Sequence, residues 1–245
     1  MQTEMIDAER TVGELAVGAP GAARVFERAG IDFCCGGKKP LREACREQGV
    51  DLEEILASLR ASEEERAPAP DAHWQREPLP ALIAHIVERH HQYVRRETPH
   101  IETWLEKCIA AHGSRHPELM RIRHTFMAMA GEMAQHMAKE ELILFPAISR
   151  MAAGRTDPSG GVASLTQPVR MMLVEHDHAG RDLAEIRKLG GDFMPPPDAC
   201  NTYRTLYQAL GQFEADMKQH VHLENNILFP RALATEAEAG HGQPD

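Results

Sequence analysis

Six residues of this 245-residue chain have the types and spacing to hold metal: His91, His136, Glu140, His176, His220 and Glu224. In His136-x-x-x-Glu140 and His220-x-x-x-Glu224 the spacing of four sets imidazole and carboxylate one turn apart on one helix face. A neutral imidazole offers a lone pair and a carboxylate offers charge, so each pair converges on a cation. A single histidine on an apolar face is ordinarily a satisfied core residue. Two equivalent sets are another matter, because burying two carboxylates without a cation costs several kcal/mol each.

The elements that must carry these residues follow from the apolar periodicity. Four long helices are expected at about 80–111, 117–152, 166–190 and 199–234, separated by His112-Gly113-Ser114, by the segment from Gly154 to Gly161, and by Gly190-Gly191 with Pro195-Pro196-Pro197. Each carries a stripe in alternating steps of three and four, the seam of a four-helix bundle. Ile122, Phe126, Met129, Met133, His136, Glu140 and Leu144 reappear as Leu206, Leu210, Phe213, Met217, His220, Glu224 and Leu228, a shift of 84 residues. On the other two helices Ala84, Val87, His91, Val94 and Thr98 match Val169, Met172, His176, Ala179 and Leu183 at a shift of 85. The bundle is an internally duplicated helix pair.

Four imidazoles and two carboxylates are too many for one tetrahedral zinc. They suit two ions, with His91 and His136 on one, His176 and His220 on the other, and Glu140 and Glu224 bridging. Imidazole with carboxylate in a bundle core favours iron over manganese or zinc. The ferritin-like alternative needs Glu-x-x-His on two helices, and the stripes contain none.

Asp32-Phe33-Cys34-Cys35-Gly36-Gly37, Glu175-His176-Asp177, His136-Met137-Ala138-Lys139-Glu140-Glu141 and His220-Val221-His222-Leu223-Glu224-Asn225-Asn226 resemble the Repair of Iron Centres family, within the hemerythrin-like superfamily. The resemblance spans about residues 11–235. It implies an all-α protein: a hemerythrin-like four-helix bundle preceded by a small helical domain carrying the Cys-Cys pair. It also implies two non-haem irons per chain, carboxylate-bridged with an oxo or hydroxo bridge, and restoration of iron–sulfur clusters damaged by nitrosative or oxidative stress through iron donation. The same six ligands match the family's site. Oxygen carriers of the superfamily have a further histidine where this chain has Gly180, and close the fourth helix with His-x4-Asp rather than His220-x-x-x-Glu224. Both irons are therefore expected to have fewer protein ligands, open positions and greater lability.

The expected domains are 1–65, a small helical N-terminal domain; 66–79, a Pro/Ala linker; 80–235, the di-iron bundle; and 236–245, a tail. In the first, Pro40 can open one helix and Asp51 cap another, with breaks at Gly18-Ala19-Pro20-Gly21 and Cys35-Gly36-Gly37. Glu132 and Asp216, four residues before His136 and His220, and Glu175, beside His176, are candidates to accept the outer N–H of a ligand imidazole or to line a path for protons or iron. In the family, the positions of Glu132 and Glu175 are credited with such a path. Cys34 and Cys35 are adjacent, which disfavours a disulfide between them. Beside Lys38 and Lys39 they are expected to be exposed with lowered pKa, meeting iron, nitric oxide or a client cluster. Cys45, Cys108 and Cys200 read as apolar filler, as do Met129, Met133, Met171, Met172 and Met217 around the site. His90, His178 and His222 read as surface residues, and His85 as flanking the seam.

The net charge of −10 disfavours nucleic acid and anionic membranes as partners. Hydrophobic content of 42% excludes wholesale disorder, and an aromatic content of 5% is lean for a β-rich fold. There is no apolar run long enough for a membrane span, no signal-peptide pattern and no paired-cysteine framework, so a cytoplasmic location is expected. The expected partners are damaged or apo iron–sulfur proteins, with nitric oxide or oxygen species as small ligands; a homodimer is left open. Nitric oxide reduction or sequestration at the di-iron centre is the alternative function. A His-Asp phosphohydrolase built on His176-Asp177 ranks last, because the first helix offers Gln92 in place of the aspartate.

Overall fold

The computed structural model describes residues 6–19, 21–64, 72–154 and 164–241. Among these, the chain is all-α, with eight helices. Pro20, linker residues 65–71, most of the Gly154–Gly161 separator and the end of the expected tail lie outside the described residues.

Four short helices come first: α1 (Val12–Gly18), α2 (Ala22–Arg28), α3 (Leu41–Gln48) and α4 (Leu52–Glu64). Thr11 opens α1 with a capping box, its hydroxyl accepting from the Glu14 amide at 3.2 Å while Glu14 accepts from the Thr11 amide at 3.1 Å. Leu41 follows Pro40, and the Asp51 carboxylate accepts from the Glu54 amide at 3.0 Å, as those residue types predict. Their apolar faces close on one cluster in which Val12, Leu15, Phe26, Leu41 and Leu59 are fully buried.

The four long helices stand where the stripes put them. Helix α5 covers residues 79–112, α6 covers 118–152, α7 is Thr166–Leu189, and α8 covers 201–241, past the 234 expected for that helix from the sequence. The stripe residues of α6, α7 and α8 are all buried. Phe126 and Phe213 meet edge to face at 5.2 Å. Periodicity misses one feature. Helices α5, α6 and α8 each contain a π-turn, at Ile86–His91, Glu140–Leu144 and Glu224–Leu228. A π-turn fits an extra residue into the helix and shifts the buried face, often at a functional site. In α5 this exposes Ala84 and buries His90 beside His91.

By compactness the chain divides into two units: residues 1–82, 151–156 and 221–245 in one, 83–150 and 157–220 in the other. The division falls inside α8, so the first unit holds the four short helices together with the end of that helix. No helix among the described residues is long and apolar enough to cross a membrane.

Candidate metal centre

The six predicted residues come together, but their partners differ from those expected. His91, Glu140, His220 and Glu224 form one set, with donor atoms within 4.8 Å of one another, and His136, Glu140, His176 and Glu224 form the second. Glu224 joins both from one turn beyond His220 on the unbroken α8. His91 Nε2 lies 3.1 Å from His220 Nε2, and His136 Nε2 lies 2.9 Å from His176 Nε2. Each imidazole pair thus takes one ring from each duplicated half, which corrects the expected grouping of His91 with His136 and His176 with His220. The duplication's two-fold relation exchanges the two sets. All six residues are essentially sealed from solvent, at 0–1% exposure.

The protonation pattern tests whether these residues fit a metal. His91 Nδ1 donates to the Glu141 carboxylate at 2.7 Å, and His136 Nδ1 donates to Glu175 at 2.8 Å. With the proton fixed on Nδ1, the Nε2 of each neutral ring carries a lone pair. Those lone pairs face Glu140, at 3.4 Å from His91 and 3.3 Å from His136. Acceptors converging on a buried carboxylate repel unless a cation lies between them. A metal about 2.1 Å from each ligand atom would separate neighbouring ligands by roughly 3.0–3.4 Å. The spacings match, and the residues fit a pair of cations.

Of the outer carboxylates expected from the sequence, Glu175 does orient an imidazole, that of His136, and also pairs with Lys139. Burial works to raise its pKa, but the bonds to Lys139 and His136 outweigh burial and hold it low. Glu132 is exposed. Asp216 accepts from His90 at 3.1 Å, and that ring stacks on His220 at 5.8 Å. Sequence reasoning missed Glu141, which orients His91 and also pairs with Arg95 at 2.7 Å. Its carboxyl likewise stays low, because those two bonds outweigh burial. The π-turn places it there; on an uninterrupted helix the residue after a seam position points away.

Several other expectations are overturned. His90 and His222 are buried rather than on the surface, at 4% and 0% exposure. His85 meets His90 edge-on at 5.7 Å, and only His178 lies on the surface as expected. Met171 and Cys200 are exposed, so neither is core filler; the remaining fillers are buried.

Cys34 is buried, and its thiol is pushed well up by the hydrogen bond with Cys35, by burial and by Asp32, the reverse of the expected exposure and lowered pKa. Lys39 pairs with Glu47 instead. The missed residue in this turn is Asp32, whose carboxylate gathers the amides of Cys34, Cys35 and Gly36 at 3.0, 2.9 and 3.0 Å. The aspartate ahead of the cysteines is the signal for such a turn. Asn225 and Asn226 donate to the carbonyls of Cys34 and Phe33, at 3.1 and 2.9 Å. His222 meets the Phe33 ring at 5.4 Å and accepts from Asn226 at 2.9 Å.

Comparison with known proteins agrees with this architecture. Residues 8–63 match ScdA_N, described as a domain of unknown function (DUF542), and residues 82–232 match the hemerythrin HHE cation binding domain. The chain is similar to the "Iron-sulfur cluster repair protein YtfE" of Pectobacterium carotovorum subsp. carotovorum (strain PC1), 36% identical over 228 residues, covering 93% of this chain and 98% of the relative. The proteins of that name from Musicola paradisiaca (strain Ech703) and Yersinia pseudotuberculosis serotype IB (strain PB1/+) are each 37% identical, over 229 and 227 residues, or 94% and 93% of this chain and 98% of each relative. With its two histidine–glutamate sets on a hemerythrin cation-binding domain and its cysteine turn on an ScdA_N domain, the chain belongs to the iron–sulfur cluster repair protein family.

Proposed function

We propose that this protein restores damaged iron–sulfur clusters by donating iron from a labile non-haem di-iron centre. His91 and His220 hold one iron, His136 and His176 the other, and Glu140 and Glu224 bridge them. The observation that carries this reading is the sharing of Glu140: its two oxygens lie 3.4 and 3.3 Å from imidazole nitrogens of different sets. Iron bound there supplies exchangeable coordination positions. Glu141 and Glu175 hold the Nδ1 protons of His91 and His136, so the lone pairs of those rings point inward. With Gly180 four residues after His176, the third helix adds no further imidazole at that position, which favours release over storage. Cys34 and Cys35 engage the client or take over the departing iron.

The test is anaerobic transfer. Protein loaded with two irons per chain is mixed with an apo iron–sulfur protein and sulfide, and cluster formation is followed optically. Clusters are expected to form at the expense of bound iron. Retention of both irons while the client stays apo would overturn the proposal.

A further inference from the structure

Outside the histidine–glutamate centre, one other group of side chains among the described residues converges as metal ligands do: Asp32, Cys34 and Cys35, with donor atoms within 4.8 Å of one another. The two sulfurs are 3.9 Å apart and form no disulfide. Thiolates bound about 2.3 Å from a tetrahedral ion stand roughly 3.8 Å apart. Cys34 Sγ donates to Asp32 Oδ1 at 3.1 Å, so a proton now lies where a cation would join sulfur to carboxylate.

The turn is built to hold this arrangement. The amides of Cys34, Cys35 and Gly36 fix the Asp32 carboxylate over the sulfurs. A side chain at Gly37 would stand 2.9 Å from the Phe33 carbonyl and 2.8 Å from Asn226 Oδ1, so the backbone can pass there only as glycine. Asn225 and Asn226, the two residues after Glu224, tie the other side of the turn down through the Cys34 and Phe33 carbonyls. Exposure is graded: Cys34 is buried, Cys35 is partly exposed and Asp32 is exposed. An ion can therefore reach the site from solvent.

We propose that Asp32, Cys34 and Cys35 form a separate mononuclear site for a thiophilic divalent cation. Binding replaces two S–H bonds by two sulfur–metal bonds and releases two protons to water. With one carboxylate the ligands carry three negative charges against two positive, and a fourth position stays open for water or a client's ligand. No electron is transferred. Thiolate donors favour zinc, ferrous iron or cobalt over magnesium or calcium. The proposal deepens the repair reading and rests on it only for naming ferrous iron as the natural ion.

The test uses cobalt(II) alone, added anaerobically to the metal-free full chain with its thiols reduced. A sulfur-to-cobalt charge-transfer band in the near ultraviolet is expected to rise to the amplitude of one thiolate-bound cobalt per chain once all positions are filled, since the histidine–glutamate centre has no sulfur. Cys35→Ser, a change at a partly exposed position, should abolish that band, and Asp32→Asn, which keeps one oxygen for the amides of Cys34 and Cys35, should weaken cobalt binding at least tenfold. Absence of the band, or its survival in Cys35→Ser, overturns the proposal. Glu140→Ala separates the two readings: loss of the other bound cobalt with the thiolate band intact is expected. A band that stands while Glu140→Ala retains all its cobalt supports the thiolate site and counts against the dinuclear one.

Discussion

Two π-turns of the same pattern, Glu140–Leu144 and Glu224–Leu228, have been put to different uses. Both begin at a buried glutamate one turn after a buried histidine and run on into Phe-Pro. In the first, the next residue, Glu141, turns to the His91 imidazole. Its counterpart Asn225 turns to the carbonyl of Cys34. In the first, Leu142 and Ile143 are 78% and 53% exposed; their counterparts Asn226 and Ile227 belong to the unit that holds the short helices, Ile227 at 1% exposure. Gly13 of α1 passes so close that a side chain there would stand 2.6 Å from Asn226 Oδ1. A duplicated turn can thus orient a ligand imidazole in one copy and hold the cysteine turn in the other. The change needs only an anion replaced by an amide, because backbone carbonyls require a donor and a carboxylate has none.

The largest expected effect tests what the turns still share. In a Cys35→Ser background, which removes the thiolate site, Glu140→Ala and Glu224→Ala should each empty both positions of the histidine–glutamate centre, lowering iron from two per chain to nearly none by elemental analysis. A variant that kept one iron would show that its glutamate serves a single ion, and the two turns would no longer be equivalent at their first residue.

Next comes the packing contrast. Ile227→Ala should destabilise the protein by about 2–4 kcal/mol, as for truncation of a buried isoleucine. Ile143→Ala, at a half-exposed position, should cost less than about 0.5 kcal/mol. Denaturant titration of the two variants checks this. Equal losses would mean that Ile143 is covered in solution.

How much of this was legible beforehand depends on what each residue's signal was. The six ligands stood out because the duplication repeats them in register within an apolar stripe, and the helix limits followed from the same stripes except at the end of α8, which runs on to His241. The pairing of His91 with His220 did not, since periodicity assigns each residue a face but does not say which helix neighbours which. Glu141 and His90 were missed for one shared reason: each is the chain neighbour of a seam residue within a π-turn, where the buried face shifts away from the one that the apolar stripe marks. Cys34 was misjudged because nearby lysines in sequence suggested a low pKa, whereas Lys39 is engaged by Glu47 and the carboxylate of Asp32 accepts from the Cys34 thiol.

The outer carboxylates supply a third comparison. Glu141→Ala removes the group that fixes the His91 proton on Nδ1, and losses of this kind lower metal affinity by about 10–100-fold. Glu175→Ala should do the same through His136, since both carboxylates make one short bond to a ligand imidazole, at 2.7 and 2.8 Å. Chelator competition on the two variants checks the parity. If only one variant lost affinity, the two metal positions would depend unequally on their outer carboxylates, which the duplication does not relate to each other.

The smallest effect lies one layer further out, where Arg95 holds Glu141 and Lys139 holds Glu175. Arg95 is 46% exposed and Lys139 44%, so water and salt screen both pairs, and exposed ion pairs contribute about 0–1 kcal/mol. Arg95→Ala and Lys139→Ala should therefore change metal affinity less than about fivefold, and the change should shrink as salt rises from tens of millimolar toward molar. The carboxylates would still hold their imidazoles, because those bonds are better buried, the rings being 0–1% exposed. A tenfold loss that persists at high salt would mean that the cation fixes the carboxylate's position rather than merely attracting it. The orienting unit would then be a triad of base, acid and imidazole on each side of the centre.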